Sequence, residues 1–250
     1  MPTTPHMTAV PPLSAIPRSR HHRTVLTSRW QHLLNASWPV PSRWVMPHLP
    51  YGSVLDSPTR NAWVSLIAYQ TSDVRVLGFS VPGLRSFPTW TLQTYVRRGD
   101  DHGVCRLATF VPSRVRAWSG RTLFGEEHQV LLMTANVTET MDAMSAEYTV
   151  TIHGRTHRMT AMGTQPAVLP TTAIERFVLD PQWGYGRSRT GGVRSYRLTH
   201  PEWAIYPVQS YAIDLDWESL FGGVWERLNG VEPESVVLAA GSTVGLSLPT

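Results

Sequence analysis

Residues 148–162 read YTVTIHGRTHRMTAM. Two runs rich in β-branched residues, Tyr148 to Ile152 and Thr156 to Met162, flank a glycine at position 154, the pattern of a β-hairpin. The same device recurs twice. Trp183 to Arg189 and Val193 to Thr199 flank Gly191-Gly192, and Val236 to Ala240 and Thr243 to Leu248 flank Gly241-Ser242. Further strand-like runs are Ala62 to Tyr69, Thr91 to Arg97, Val104 to Val111 and Gln129 to Thr138. Helical signals are few. Val115, Trp118 and Thr122 fall at helical spacing within Ser113 to Phe124, Thr172-x-x-Glu175 is a capping box opening a helix through Val178, and Trp217 to Leu228 is a third segment interrupted by Gly222-Gly223. Many hairpins with a few short helices predict an α+β domain built on a mostly antiparallel sheet curled into a β-barrel.

The chain has 250 residues, ample for one buried core. Residues 1–24 carry five prolines and lack periodicity, so they read as a flexible leader, and 25–250 as a single domain. The leader has no continuous apolar stretch of the kind a secretory signal needs, and no run approaches the length of a membrane-spanning helix. With a single cysteine, the expected location is the cytoplasm, without membrane association.

Lysine is absent: all 22 basic residues are Arg. No side-chain amine is therefore available for Schiff-base catalysis. The net charge of +4 is unevenly placed, since residues 1–55 hold five Arg and no acid, while the remainder holds 17 Arg against 18 acids. A near-neutral body with a basic leader lacks the footprint of a nucleic-acid binder.

Several motifs favour their plain readings. His153-x-x-x-His157 straddles the hairpin turn without a third ligand, so two solvent-exposed imidazoles are expected rather than a metal pair, and His21-His22 falls in the leader. No G-x-S-x-G elbow occurs, and a phosphate loop ending in lysine is impossible. Gly184-Tyr-Gly186 leads into a strand, not a helix, and Cys105 within a strand reads as a buried structural thiol. The densest polar cluster is Gly120 to His128. Strand alternation there points Glu126 and His128 to one side and Glu127 to the other. A carboxylate–imidazole pair facing a lumen suits acid/base work; an exposed, charge-rich turn is the plain alternative.

From Leu26-Thr-Ser-Arg-Trp30 onward, a collinear set of motifs resembles the YqjF-like family of uncharacterised bacterial proteins, within the acetoacetate decarboxylase-like superfamily. The motifs include Trp38-Pro-Val-Pro41, Leu49-Pro50 with Asp56, Asn61-Ala-Trp-Val64, Arg75-Val-Leu-Gly78, Thr94 to Arg98, Val111-Pro112 and Arg121 to His128. Trp183-Gly-Tyr185, Tyr196-Arg-Leu, His200-Pro-Glu-Trp203 and Gly241-Ser242 continue them. The resemblance implies a β-barrel of the acetoacetate decarboxylase type. In the decarboxylases a G-R-E segment precedes a P-K-K run whose first lysine forms the Schiff base. Gly120-Arg121 is similar to that G-R, and His128 and Gln129 fall where the lysines would stand.

The chain also departs from its own branch: Thr89, Thr91, Gln93, Thr109 and Pro181 stand where the branch pattern has Glu, Asn, Arg, a second Glu and a His. A lumen lined by them keeps hydroxyl and amide groups but loses charge.

The resulting expectation is an enzyme that needs neither metal nor organic cofactor. It acts on a small carbonyl-bearing, polyketide-like metabolite by dehydration, isomerisation or cyclisation. Glu126 and His128 form the acid/base pair if burial tunes them. Thr91, Gln93, Tyr95 and Thr109 offer hydrogen bonds, and Trp90, Trp183 and Tyr185 form aromatic walls. Arg121 anchors a carboxylate or holds Glu126. The alternative is a non-catalytic barrel that binds or senses a hydrophobic small molecule. The partner in either case is a small molecule, not nucleic acid, with assembly into a homo-oligomer left open.

Overall fold

The computed structural model describes residues 23–81, 84, 86–114, 117, 124, 126, 128–187 and 192–250. Its clearest local feature is the hairpin of β9 (Ala143–Ile152) and β10 (Arg155–Thr164). Ile152 stands opposite Arg155, leaving His153 and Gly154 as the loop, both at positive φ (49° and 79°). Two such residues form the turn whose twist matches that of the strands. β8 (Leu132–Glu139) and β14 (Val208–Asp214) complete a four-stranded antiparallel sheet in the order β14-β10-β9-β8.

The larger sheet is built on β1 (Thr24–Val40), β3 (Ala62–Val76), β5 (Phe87–Arg98), β6 (Asp101–Val111), β11 (Trp183–Arg187), β12 (Val193–Thr199) and β15 (Ser235–Ser247). The short strands β2 (Val54–Leu55), β4 (Phe79–Ser80), β7 (His128–Val130) and β13 (Ile205–Tyr206) join it at β5, β3, β6 and β15. Its pairings run β5-β3-β1-β15-β12-β11-β6, and β6 pairs with β5 again, so the hydrogen-bonded path returns to its start. The sheet is mixed in direction: β7 and β11 both run parallel to β6. The chain reaches both by crossing over instead of turning back, which a hairpin count does not register.

Two faces bury two cores. On one, Trp90, Leu92 and Phe110 pack against Met144, Tyr148 and Met159 of the four-stranded sheet. On the other, Leu33, Trp63, Ile67, Tyr95, Tyr196 and Val244 meet each other and Val178 and Leu179 of the helix Ala173–Leu179. After α1 (Ser42–Val45), this helix is α2. It opens with the capping box read from the sequence, Thr172 and Glu175 each satisfying the other's backbone N–H. α3 (Trp217–Phe221) stops at Gly222, φ 81°, and continues as a 3-10 turn over Gly223–Leu228. No helix among the described residues is long and apolar enough to cross a membrane.

Four sequence expectations change. The segment Val236 to Leu248 is not a hairpin but the single strand β15. Gly241 (φ 122°) is required by close approach, since a Cβ there would lie 2.4 Å from the Trp30 carbonyl oxygen of β1. Gln129 to Thr138 divides at Leu131 into β7 and β8, which belong to different sheets. His157 is fully buried: Nδ1 accepts from the Asp216 N–H (3.1 Å) and Nε2 lies 3.3 Å from Ser219 Oγ. Only His153 is exposed, because alternation along β10 turns His157 inward with Met159. Thr24, placed in the leader, already belongs to β1 and pairs with Ser247; residues 1–22 lie outside the described residues. Most of the expected helix Ser113 to Phe124 does too, although the Ala117 N–H donates to the Ser113 carbonyl with helical spacing.

Candidate active site

The polar groups of the second core collect around Arg106. In the β5–β6 pairing, Leu92 stands opposite Ala108 and Gln93 opposite Arg106, so Leu107 is an extra residue, a β-bulge. The bulge resets the alternation. Thr109 and Arg106, three positions apart, therefore share the face that also carries Thr91 and Gln93.

The Arg106 side chain is 11% exposed, and its Nη1 lies 2.7 and 2.9 Å from the two carboxylate oxygens of Glu126. Glu126 also accepts from the Tyr196 hydroxyl and has His128 Nε2 at 3.2 Å. Burial alone would raise the Glu126 pKa; the Arg106 charge and the bonds from His128 and Tyr196 outweigh it, and the value falls to about 2. Arg106 is held protonated, since the Glu126 anion overcomes the desolvation that opposes its charge. Burial, reinforced by the neighbouring carboxylate, pushes the Tyr196 hydroxyl well up, so it remains a donor. The guanidinium carbon lies 5.8 Å from the Trp30 ring centroid, and Trp30 stacks on Tyr69 at 4.4 Å.

Tyr196 reaches Glu126 because its partner on β11 is Gly184. A Cβ at Gly184 would fall 2.0–2.4 Å from the Tyr196 ring. β11 thus gives up its inward side chain to the ring of its neighbour.

Beside this cluster lies a cavity of about 40 Å³, lined by Asn35, Gln93 and Arg106 with Trp30, His200 and Trp203 among its other walls. That is room for about three waters. Asn35 is 1% exposed, and its Nδ2 has no hydrogen-bond partner among the described residues; neither has Arg106 Nε. The Asn35 amide is oriented by a chain of hydroxyls. Tyr95 is 2.6 Å from Ser65, Ser65 is 2.6 Å from Ser37, and Ser37 donates to Asn35 Oδ1 (3.0 Å). With its oxygen committed, Asn35 has only N–H left to offer. Burial pushes the Tyr95 hydroxyl up to about 12, so the chain keeps its proton.

The structure brings together some of the residues singled out from the sequence and separates others. Gln93 lines the cavity and Tyr95 supports it through the hydroxyl chain; Thr91 and Thr109, which are not in its lining, meet each other with Oγ1 atoms 3.5 Å apart. Glu126 and His128 do come together, but behind Arg106 and not on the cavity wall. The burial expected to tune Glu126 as an acid is overridden by the ion pair and the bonds from His128 and Tyr196, so the carboxyl is ionised at neutral pH. Trp90 faces the other core, and Trp183 and Tyr185 form a separate cluster with Val96 and Cys105. Alternation decides this: Gly184, between Trp183 and Tyr185, holds the inward position. Arg121 lies outside the described residues. Asn35, Arg106 and Tyr196 were not anticipated as site residues. The available signals were an arginine inside the apolar strand Val104 to Phe110 and an asparagine between Leu34 and Ala36.

Comparison with known structures shows the same fold. An acetoacetate decarboxylase-like enzyme from Sphingomonas wittichii superposes with TM-score 0.62 at 12% identity, covering 98% of this chain and 99% of that one. The acetoacetate decarboxylase of Legionella pneumophila gives 0.57 at 13%, covering 97% and 96%. The enduracididine biosynthesis enzyme MppR, with HEPES buffer bound, gives 0.57 at 13%, covering 98% and 97%. In sequence, the uncharacterized protein YqjF of Bacillus subtilis is 28% identical over 101 residues, a stretch taking in 40% of this chain and 42% of that relative. The match thus spans less than half of YqjF. Residues 27–243 match the family described as DUF2071, uncharacterized conserved protein (COG2071), and the chain belongs to that family.

Proposed function

We propose that this protein is an enzyme acting on a small carbonyl-bearing metabolite, without a Schiff base, by polarising the carbonyl with fixed hydrogen-bond donors. The observation that carries this reading is the pair of unpartnered buried donors, Asn35 Nδ2 and Arg106 Nε, on two residues that line one cavity. Buried N–H groups without acceptors cost free energy until a ligand supplies oxygen. Both donors favour the same occupant, a carbonyl or carboxylate oxygen, and both interact more strongly as that oxygen gains charge. With no lysine in the chain to form an imine, such donors are a means by which electron density can be drawn onto the carbonyl.

Glu126 has a different part from the acid/base role expected of it. Fully ionised and occupied by three donors, it fixes Arg106 and balances its charge; it is a positioning residue. The small, mainly apolar cavity, with Leu33, Ile67, Val104 and Leu198 in its wall, also supports a second reading, a module that binds a small molecule without converting it.

The test is mass spectrometry of metabolite extract incubated with the protein and with Asn35→Leu. A new species that forms with the parent, and about 10²-fold more slowly with the variant, is the expected result. A species that co-purifies unchanged, with no conversion, favours the binding module.

A further inference from the structure

We propose that His200 is the base that removes the proton α to the substrate carbonyl, making the cavity an enolisation site. This rests on the carbonyl-polarising reading above and adds the missing proton acceptor. Among the described residues lining the cavity, Arg106 and His200 are the two with ionisable side chains, and Arg106 is locked as a cation by Glu126. Glu126 is engaged on every side, and Tyr95 and Tyr196 are held as hydroxyls. A proton acceptor on this wall is therefore His200.

Its local structure suits the role. His200 follows directly on β12, whose last residue, Thr199, is in register with Gly245 of β15. Its Nδ1 lies 2.9 Å from the carbonyl oxygen of Pro201. That oxygen can only accept, so Nδ1 carries the proton, and Nε2 of the neutral ring carries the lone pair. The bond to Pro201 is the one hydrogen bond described for the ring. The ring packs against Trp203 at a tilt of 44°, 5.2 Å between centroids; Trp203 is 5% exposed and lines the same cavity. One nitrogen is thus tied to the backbone, the ring is braced by an indole, and the other nitrogen is without a partner among the described residues.

The step balances without oxidant or reductant. The α C–H bond breaks and its proton passes to His200 Nε2. The electron pair left on carbon forms the C=C bond, and the carbonyl π pair moves onto oxygen, where Arg106 Nε and Asn35 Nδ2 stabilise the enolate. Return of a proton from the imidazolium to the same carbon completes an exchange. Return to another carbon is an isomerisation, and loss of a β-hydroxyl as water is a dehydration.

The experiment follows methyl deuteration of pyruvate and of acetone in D₂O by proton NMR, with ligand binding read separately by saturation transfer. Pyruvate and acetone are small carbonyl compounds, and MppR, which shares the fold, has been captured with pyruvate. The parent protein is expected to bind at least one probe and accelerate its deuteration. His200→Gln is expected to keep binding and slow exchange by about 10²-fold or more, and His200→Ala to recover part of the rate with added imidazole. Undiminished exchange in a folded His200→Gln overturns the assignment. Binding without exchange in the parent also overturns it, while leaving the carbonyl-binding reading intact. Binding of neither probe overturns both.

Discussion

Glu126 receives a guanidinium, an imidazole and a phenol, and its charge holds the Arg106 guanidinium protonated and helps keep the Tyr196 hydroxyl protonated. Removing its charge leaves Arg106 buried and unbalanced. Glu126→Gln is expected to cost about 3–5 kcal/mol in urea unfolding at pH 7. The pH dependence has a definite sign. The folded-state pKa, about 2, lies below the unfolded value near 4.5, so the stabilisation is complete above the unfolded value and is lost as pH falls toward about 2. In that window the parent's stability should fall more steeply with acid than that of Glu126→Gln, and urea titrations between pH 2 and 7 check this. At this scale the sequence was informative where neighbours in the chain are neighbours in space. Two residues apart, Glu126 and His128 could be paired by alternation alone. Arg106 could not, because the extra residue at Leu107 reverses the phase of β6. Asn35 was hidden for another reason: the first strand runs 17 residues through Trp-Pro, with His32 at φ 53°, and shows no clean period.

Elements, in contrast, depend on what glycine is used for. At Gly154 it serves a turn, and the hairpin was legible. At Gly241 it serves the crossing of two backbones, and the same letter misleads. At Gly184 it makes room for a neighbour's ring. Gly184→Ala is expected to destabilise the protein by about 1–3 kcal/mol through overpacking and to detach Tyr196 from Glu126. The second effect is visible as a raised midpoint for the acid limb, which an overpacking remote from Glu126 would leave in place. At α2 the capping box was fully legible, since both partners lie within four residues. Thr172→Ala should cost about 1 kcal/mol. Because Val178 and Leu179 close the cavity, amide exchange in this helix should quicken more than in β1 or β15.

At the level of the whole molecule, composition and hairpins conveyed a strand-rich protein with few helices, but not the two parallel pairings, which join residues far apart in sequence. Cys105 reports on the integrity of the whole. Burial raises its thiol to about 12, so at pH 8 it should resist Ellman's reagent until the sheet opens, and its labelling rate should track global unfolding in urea. The closed path of pairings also bears on how the protein is made. β1 emerges from the ribosome before β3, which it then meets, yet its other neighbour is β15, the last of the described strands. Until residue 247 is free, one long edge of β1 stays unpaired, and the groups around Asn35 and Arg106 are open to water. A chain arrested before residue 235 therefore presents a sticky edge to its neighbours instead of a partly working pocket, and is expected to aggregate on expression. The arrival of β15 is a single latching event: that strand both finishes the wall and creates the room inside it.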